Sequence, residues 1–402
     1  MEVYVARQPI LNHKKHLYAY ELLFRDGLTN YFPVIDGDEA TSKVLSSSYF
    51  TIGLEKITGK KLAFINFTAR LLQEEAPLLF PKETTVIEIL ESVQPDPVII
   101  ERLRSFAEKG YTIALDDFKL RKGIKPLIDI SSIIKIDFRL TPLNQIEPLV
   151  INLKNRGIQL LAEKVETIEE FQRAGELGFD YFQGYFFCKP EILTAKEVSS
   201  TTLHLLTIMA EVTKKDFDFN KIEAIITQDV SISYKLLRYI NSAFFKVSQE
   251  ITTIKQAALF LGQDELKRFV SLIAMSKIAS HKPDELVRTA CVKARFLEAM
   301  GKFSKSGVNP SELFTIGLFS NIDAILDQPM AQIMKELPLS RSIKETLIGR
   351  KTELSSYLDL IHHYEKGEWE DVRKLGISLS IPEDEIPSIY IEACESANQL
   401  TE

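Results

Sequence analysis

Two rhythms of apolar and polar residues divide this chain. Through about residue 190, short β-branched runs alternate with stretches of helical spacing. The runs Val3–Arg7, Leu17–Phe24, Leu62–Phe67, Val86–Ile89, Thr112–Leu115, Ile133–Ile136, Ile158–Ala162 and Tyr181–Phe182 predict strands. The periodicity predicts helices near 37–57, 97–109, 142–155 and 167–177. Strands alternating with helices imply a parallel sheet covered by helices. About eight strands in this span favour a closed (β/α) barrel of the TIM type over an open sheet. From about Leu193 onward strand-like runs almost vanish. Ile232, Leu236, Leu237 and Ile240 form one helical stripe, and Leu259 and Phe260 close another helix before Gly262. The expected architecture is an α/β barrel over 1–195 and an all-helical domain over 200–402. A long helix near 193–214 joins them.

Composition narrows the class. The chain has 402 residues, 45% hydrophobic and 26% charged, with a formal charge of −7. That length suits two ordinary domains. The mild negative charge, spread evenly over both halves, gives no support for a nucleic-acid or anionic-membrane partner. No basic-then-apolar leader opens the chain, and no run is long enough to span a bilayer. Cys188, Cys291 and Cys394 are isolated, so they read as free thiols in a cytoplasmic setting and not as a zinc site.

The chemistry concentrates at strand ends. Glu21, Asn66, Glu88, Asp116, Asp117, Asp137 and Glu163 stand at or beside the carboxyl ends of the predicted strands. In a barrel those ends converge on one mouth, where barrel enzymes keep their chemistry. Carboxylates facing inward repel one another unless cations sit between them. The pattern therefore points to a divalent metal and a phosphate-bearing ligand.

The motifs resemble those of EAL domains, the cyclic di-GMP phosphodiesterases. Glu21-Leu22-Leu23-Phe24-Arg25 is similar to Glu-Ala-Leu-x-Arg. Asn66, the Glu88–Glu91 stretch, Asp116-Asp117-Phe118, Lys135-Ile136-Asp137, Ala162 to Glu166 and Gln183-Gly184-Tyr185-Phe186 follow in family order. The resemblance implies that Glu21, Asn66, Glu88 and Asp116 hold a first Mg²⁺ or Mn²⁺. It places Asp117 and Asp137 near a second metal, and Lys135 and Glu163 beside the attacking water. Gln183 is a further site residue, and Arg25 binds ligand phosphate or pairs with a barrel carboxylate. Three positions depart from the family pattern. Leu22 replaces Ala. Lys119-Leu120-Arg121-Lys122-Gly123 replaces a glycine-bearing loop that helps order the second metal and dimerisation. Lys164 replaces Gly after Glu163. The Lys119–Lys125 cluster reads either as a phosphate clamp or as a solvated loop.

The second half resembles HDOD domains. Its block from Ile225 to Ala243 carries Leu236-Leu237-Arg238 and Asn241-Ser242-Ala243, and Ile254 to Gly262 matches the next family block. Related phosphohydrolases hold metal with adjacent His-Asp. Here Ser320-Asn321 stands at the comparable place, a poor divalent pair. Asn241 reads as a helix cap, and Tyr364 and Trp369 as packing between the C-terminal helices. The family architecture implies a cyclic di-GMP signalling protein. Its barrel acts as nucleotide sensor or scaffold, and its HDOD half contacts a signalling partner. Homodimerisation is a further expectation. The alternative is an active phosphodiesterase yielding the linear dinucleotide, and a pure interaction protein is a third reading.

Overall fold

Each predicted β-branched run of the first half folds as a strand, and the eight strands close on themselves. In the computed structural model, which describes residues 4–24, 53–118, 123–141, 143–190, 205–206, 209, 230–241, 251–303 and 307–401, the strands run in chain order. They are β1 (Val5–Asn12), β2 (Leu17–Phe24), β3 (Leu62–Phe67), β4 (Thr85–Ile89), β5 (Thr112–Leu115), β6 (Ile133–Asp137), β7 (Gln159–Glu163) and β8 (Tyr181–Gln183). Together they form one closed barrel with β8 returning to β1. One residue from every strand fills a layer of its interior: Ile10, Ala19, Phe64, Val86, Ala114, Ile133, Leu161 and Tyr181. These apolar side chains are buried against one another, so the layer is a packed core and not a pore.

The sheet is not wholly parallel. β2 through β8 pair in parallel, but β1 runs antiparallel to both neighbours. The cause lies between β1 and β2. Asn12 Oδ1 accepts from Lys14 N at 2.9 Å and His16 N at 3.0 Å, and Lys15 takes φ 59°. So tight a connection can join only antiparallel strands. β1 also runs further than the sequence suggests, past Pro9 to Asn12. It meets β8 only at Ile10–Asn12, so at Pro9 it is paired with β2 alone. A missing N–H there does not interrupt ladders on both sides.

Helices cover the barrel where caps allow them to start and stop. Asp96 accepts from Val98 N and Ile99 N, with Pro97 opening the helix Pro97–Glu108. Thr167 and Glu170 form a capping box on Ile168–Leu177, and Gly178 closes that helix at φ 101°. The helix Leu143–Lys154 completes those expected after residue 60.

The chain divides into two compact units. The first comprises Met1–Lys189 with His362–Arg373, and the second Pro190–Ile361 with Lys374–Glu402. The segment His362–Arg373 thus belongs with the barrel. Tyr364 Oη donates to Val5 O at 3.2 Å, and Trp369 stands edge-on to Tyr4 with centroids 5.7 Å apart. The expected packing of Tyr364 on Trp369 is present at 5.1 Å. Its floor, however, is the first barrel strand, because Tyr4 and Val5 are the apolar surface in reach.

The second unit is helical. Leu236 and Ile240 of the helix Val230–Ile240 are buried against Leu266, Phe269 and Val270. Gly262, at φ 73° and ψ 174°, breaks the long run Ile254–Ile278 at the point where the sequence ends a helix. Asn241 caps as expected: its amide donates to Leu237 O and Ile251 O and accepts from Ile251 N, each at 2.8 Å. Gly317 is held by close helix approach, since a Cβ there would meet Ala294 Cα at 2.5 Å. Of the expected helix 193–214, only residues 205, 206 and 209 are described, and each is helical.

Candidate functional site

Alternation along the strands decides which residues reach the mouth. Glu21, Asn66, Glu88, Lys135, Glu163 and Gln183 lie in the last residues of β2, β3, β4, β6, β7 and β8, and Asp116 directly follows β5. Register aligns them: Asn66 lies opposite Glu88, Asp137 opposite Glu163, and Gln8 opposite Glu21. Seven strands thus deliver seven polar side chains to one end of a closed barrel.

Lys135 is the hub. Its side chain is 1% exposed. Nζ lies 2.8 Å from Glu163 Oε1, 3.0 Å from Asp116 Oδ1 and 3.3 Å from Glu21 Oε2, and it also donates to Glu88 Oε1. One ammonium therefore faces four carboxylates. Burial works against its charge, but the four acids outweigh burial and hold it well above the usual lysine range. The acids are under-compensated in turn. Burial pushes Glu88 well above the ordinary carboxylate range, with Glu21 and Asp116 adding to the effect. Burial likewise raises Glu163 to about 8, despite Lys135 beside it. Four acids around one lysine leave room for more positive charge.

The acceptors confirm that room. Asn66 Oδ1, Glu88 Oε2, Glu163 Oε2 and Gln183 Oε1 are buried with no hydrogen-bond partner. Unpaired buried oxygens are costly, and four at one mouth fit a hard cation that takes oxygen ligands. Asn66 is already aimed, since its Nδ2 donates to Glu21 Oε1 at 3.1 Å and leaves Oδ1 free. The mouth is not drawn tight around a point. Among the described residues, the set of His, Cys, Asp or Glu ligand atoms within 4.8 Å of one another is His363, Glu368 and Asp371, outside the mouth. There His363 Nδ1 meets Glu368 Oε2 at 2.5 Å while Glu368 N donates to His363 O, a side-chain closure of a helix end. In the mouth the carboxylates are spread around the Lys135 ammonium that they share.

A second group flanks the first. Asp117 sits at φ 39°, and burial with Asp116 beside it raises its pKa. Asp137 ends β6. Its Oδ1 accepts from Arg139 N at 2.9 Å and Leu140 N at 2.8 Å, and its Oδ2 from Lys164 Nζ at 2.6 Å. Burial opposes its charge, but Lys164 and the two amides hold it below the usual range.

Gln8 was not predicted from the sequence. Gln183 Nε2 bridges Glu21 Oε2 at 2.6 Å and Gln8 Oε1 at 3.0 Å, and Gln8 Nε2 reaches Glu365 O at 3.4 Å. Gln8 sits opposite Glu21 on a strand with no terminal acid, so only the β1–β2 register reveals it. Arg25 and the loop from Lys119 to Lys122 lie outside the described residues. In the second unit, Ser320 Oγ donates to Gly317 O at 2.7 Å and Asn321 is buried. No metal-ligating grouping forms there among the described residues, and none of their helices is long and apolar enough to cross a membrane.

Comparisons with known proteins bear on both halves. The EAL domain family matches residues 50–190 and the HDOD domain family residues 200–349. Cyclic di-GMP phosphodiesterase CdgJ of Vibrio cholerae is 37% identical over 97% of this chain and 91% of its own length. Uncharacterized protein YuxH of Bacillus subtilis is 33% identical over 100% of this chain and 99% of its own. Among solved structures, the Klebsiella pneumoniae BlrP1 calcium/cy-diGMP complex is 21% identical. It aligns over 46% of this chain and 55% of that one, at a TM-score of 0.37.

Proposed function

The chain belongs to the family that joins an EAL domain to an HDOD domain, and from that premise we propose a cyclic di-GMP signalling protein. Its barrel mouth binds the nucleotide with a divalent cation, and its HDOD half carries the output through contacts with a signalling protein. The observation that carries the reading is the Lys135 ammonium ringed by Glu21, Glu88, Asp116 and Glu163, with buried acceptors still unpaired around it. Such a site is complete only with added cation, and a cation at a barrel mouth recruits phosphate oxygens.

Roles follow from position. Glu21, Asn66, Glu88 and Asp116 would hold Mg²⁺ or Mn²⁺, which when bound supplies positive charge to a phosphodiester and lowers the pKa of water. Lys135 keeps its proton among the four acids and fixes their carboxylates around the point where a water nucleophile would be oriented. Glu163, pushed up by burial, stands beside Lys135 where an attacking water would lie. Gln183 fixes the Glu21 carboxylate from β8. The helical half works as an interaction module, since Ser320 and Asn321 supply no divalent pair.

Hydrolysis is the second reading, favoured by the phosphodiesterase name of a relative 37% identical along nearly the whole chain. One incubation separates the two. The full chain is held with cyclic di-GMP and Mn²⁺, and bound and free nucleotide are resolved by ion-exchange chromatography. Nucleotide retained intact over many residence times supports the sensor. Conversion to the linear dinucleotide with multiple turnovers supports the enzyme. No retention and no conversion overturns both.

A further inference from the structure

The two acid groups of the mouth differ in what they lack. Around Lys135, Asn66, Glu88 and Glu163 each keep an unpartnered buried oxygen. Asp137 keeps none. Its Oδ1 is filled by the Arg139 and Leu140 amides, and its Oδ2 by Lys164 Nζ at 2.6 Å. The same ammonium lies 3.9 Å from Asp117 Oδ1, so it stands between the two acids of this group. We propose that Lys164 is a built-in cation for Asp117 and Asp137, and that it limits the mouth to one divalent ion. This rests on the reading of the mouth as a divalent-cation site.

Backbone geometry argues that the placement is imposed. Lys164 directly follows Glu163 at the end of β7 and takes φ 58°, a conformation that a Cβ disfavours and glycine adopts freely. Successive residues at this turn then serve different groups. Glu163 turns its carboxylate to Lys135, while Lys164 sends its ammonium to Asp137. An ammonium is a hydrogen-bond donor with one charge and no ligand sites. It neutralises part of the pair without needing free metal. A divalent ion at Asp137 would have to expel it and also compete with two backbone amides that fix the carboxylate. At Glu88 the Lys135 ammonium takes Oε1 but leaves Oε2 open to a cation, whereas both oxygens of Asp137 are taken.

The consequence is countable. Full-length protein is titrated with Mn²⁺ by calorimetry, and the loaded samples are examined by electron paramagnetic resonance. Wild type takes one ion and shows an isolated-ion spectrum. Lys164→Gly, which relieves the left-handed strain and so preserves the fold, takes two ions with spin coupling between neighbours. Lys164→Arg keeps a cation and remains at one. Two coupled ions in wild type overturn the proposal. One ion in both wild type and Lys164→Gly also overturns it, while leaving the divalent-site reading intact. No ion in either protein overturns both.

Discussion

Replacing Lys135 with methionine removes the one ammonium inside the ring of four acids and keeps most of the side-chain volume. Lys135 is 1% exposed, with acid oxygens of Glu163, Asp116 and Glu21 at 2.8, 3.0 and 3.3 Å and Glu88 in contact. Breaking a buried ionic cluster by deleting one partner costs about 3–5 kcal/mol, because the remaining charges stay buried without compensation. With a urea slope near ~3 kcal/mol per M for a unit of this size, the midpoint falls by roughly 1–1.7 M. The assay is built into the chain. Trp369 is its single tryptophan and packs on Tyr4, so its fluorescence reports the barrel unit. The pH dependence has a defined sign. In the variant Glu88 and Glu163, already raised by burial, lose the ammonium that holds them down and rise further. Groups raised on folding give stability that is full below the unfolded carboxylate range and lost as pH rises through the folded values. The deficit of Lys135→Met therefore widens from pH 5 to pH 9 in chelator. Mn²⁺ stabilises each protein by about 2.7 kcal/mol at a hundred times its own dissociation constant, so at a fixed Mn²⁺ concentration the deficit narrows only as far as the variant binds the ion more tightly than wild type. An unchanged midpoint in chelator at pH 8, or a variant that grows more stable with pH, refutes the compensation argument.

Other expectations are simpler. Gly184→Ala should lose the folded barrel, at a cost above about 4 kcal/mol. Gly184 sits at φ 145° and an added Cβ would meet Val165 O at 2.0 Å, so soluble yield and Trp369 emission are the readouts. Glu265→Gln should cost the helical unit about 3 kcal/mol at pH 7, followed by circular dichroism. Burial opposes the Glu265 charge, but Arg295 and Arg268 overcome it and hold the carboxyl down at about 2. That stability is present above the ordinary carboxylate range and lost as pH falls toward 2, and the variant should show a flatter acid limb. Tyr364→Phe should cost about 1 kcal/mol by urea titration of Trp369 emission, the net worth of its buried hydrogen bond to Val5 O.

The alternation of β-branched runs was enough to place Glu21, Asn66, Glu88, Asp116 and Glu163 at strand ends, because side chains at those positions have a fixed period and the barrel gathers them. Asn241 and Gly262 were legible for local reasons, a cap and a helix break. What escaped depended on pairing. The strand expected over Val3–Arg7 runs on through Pro9 to Asn12, and the β1–β2 turn reversed a direction that alternation with helices implied was parallel. Gln8 reaches the site only through the register that sets it opposite Glu21. Lys164 stood out in the sequence as a departure, yet its partner is set by a left-handed backbone no sequence pattern displays. Tyr364 and Trp369 read as packing residues, while the surface they pack on lies more than 350 residues away in the chain, at Tyr4 and Val5.

The most direct test of the cation-assisted nucleotide site is a calorimetric titration of full-length protein with cyclic di-GMP, in Mn²⁺ and in chelator, repeated on Glu88→Ala. Glu88 is wholly buried against Lys135 with Oε2 unpaired, so its removal takes away both a charge and an oxygen ligand. The site described here predicts binding in Mn²⁺ that weakens at least tenfold in chelator, and a variant that binds weakly with or without metal. Equal affinity in Mn²⁺ and chelator, or a variant with wild-type affinity and metal response, would contradict it.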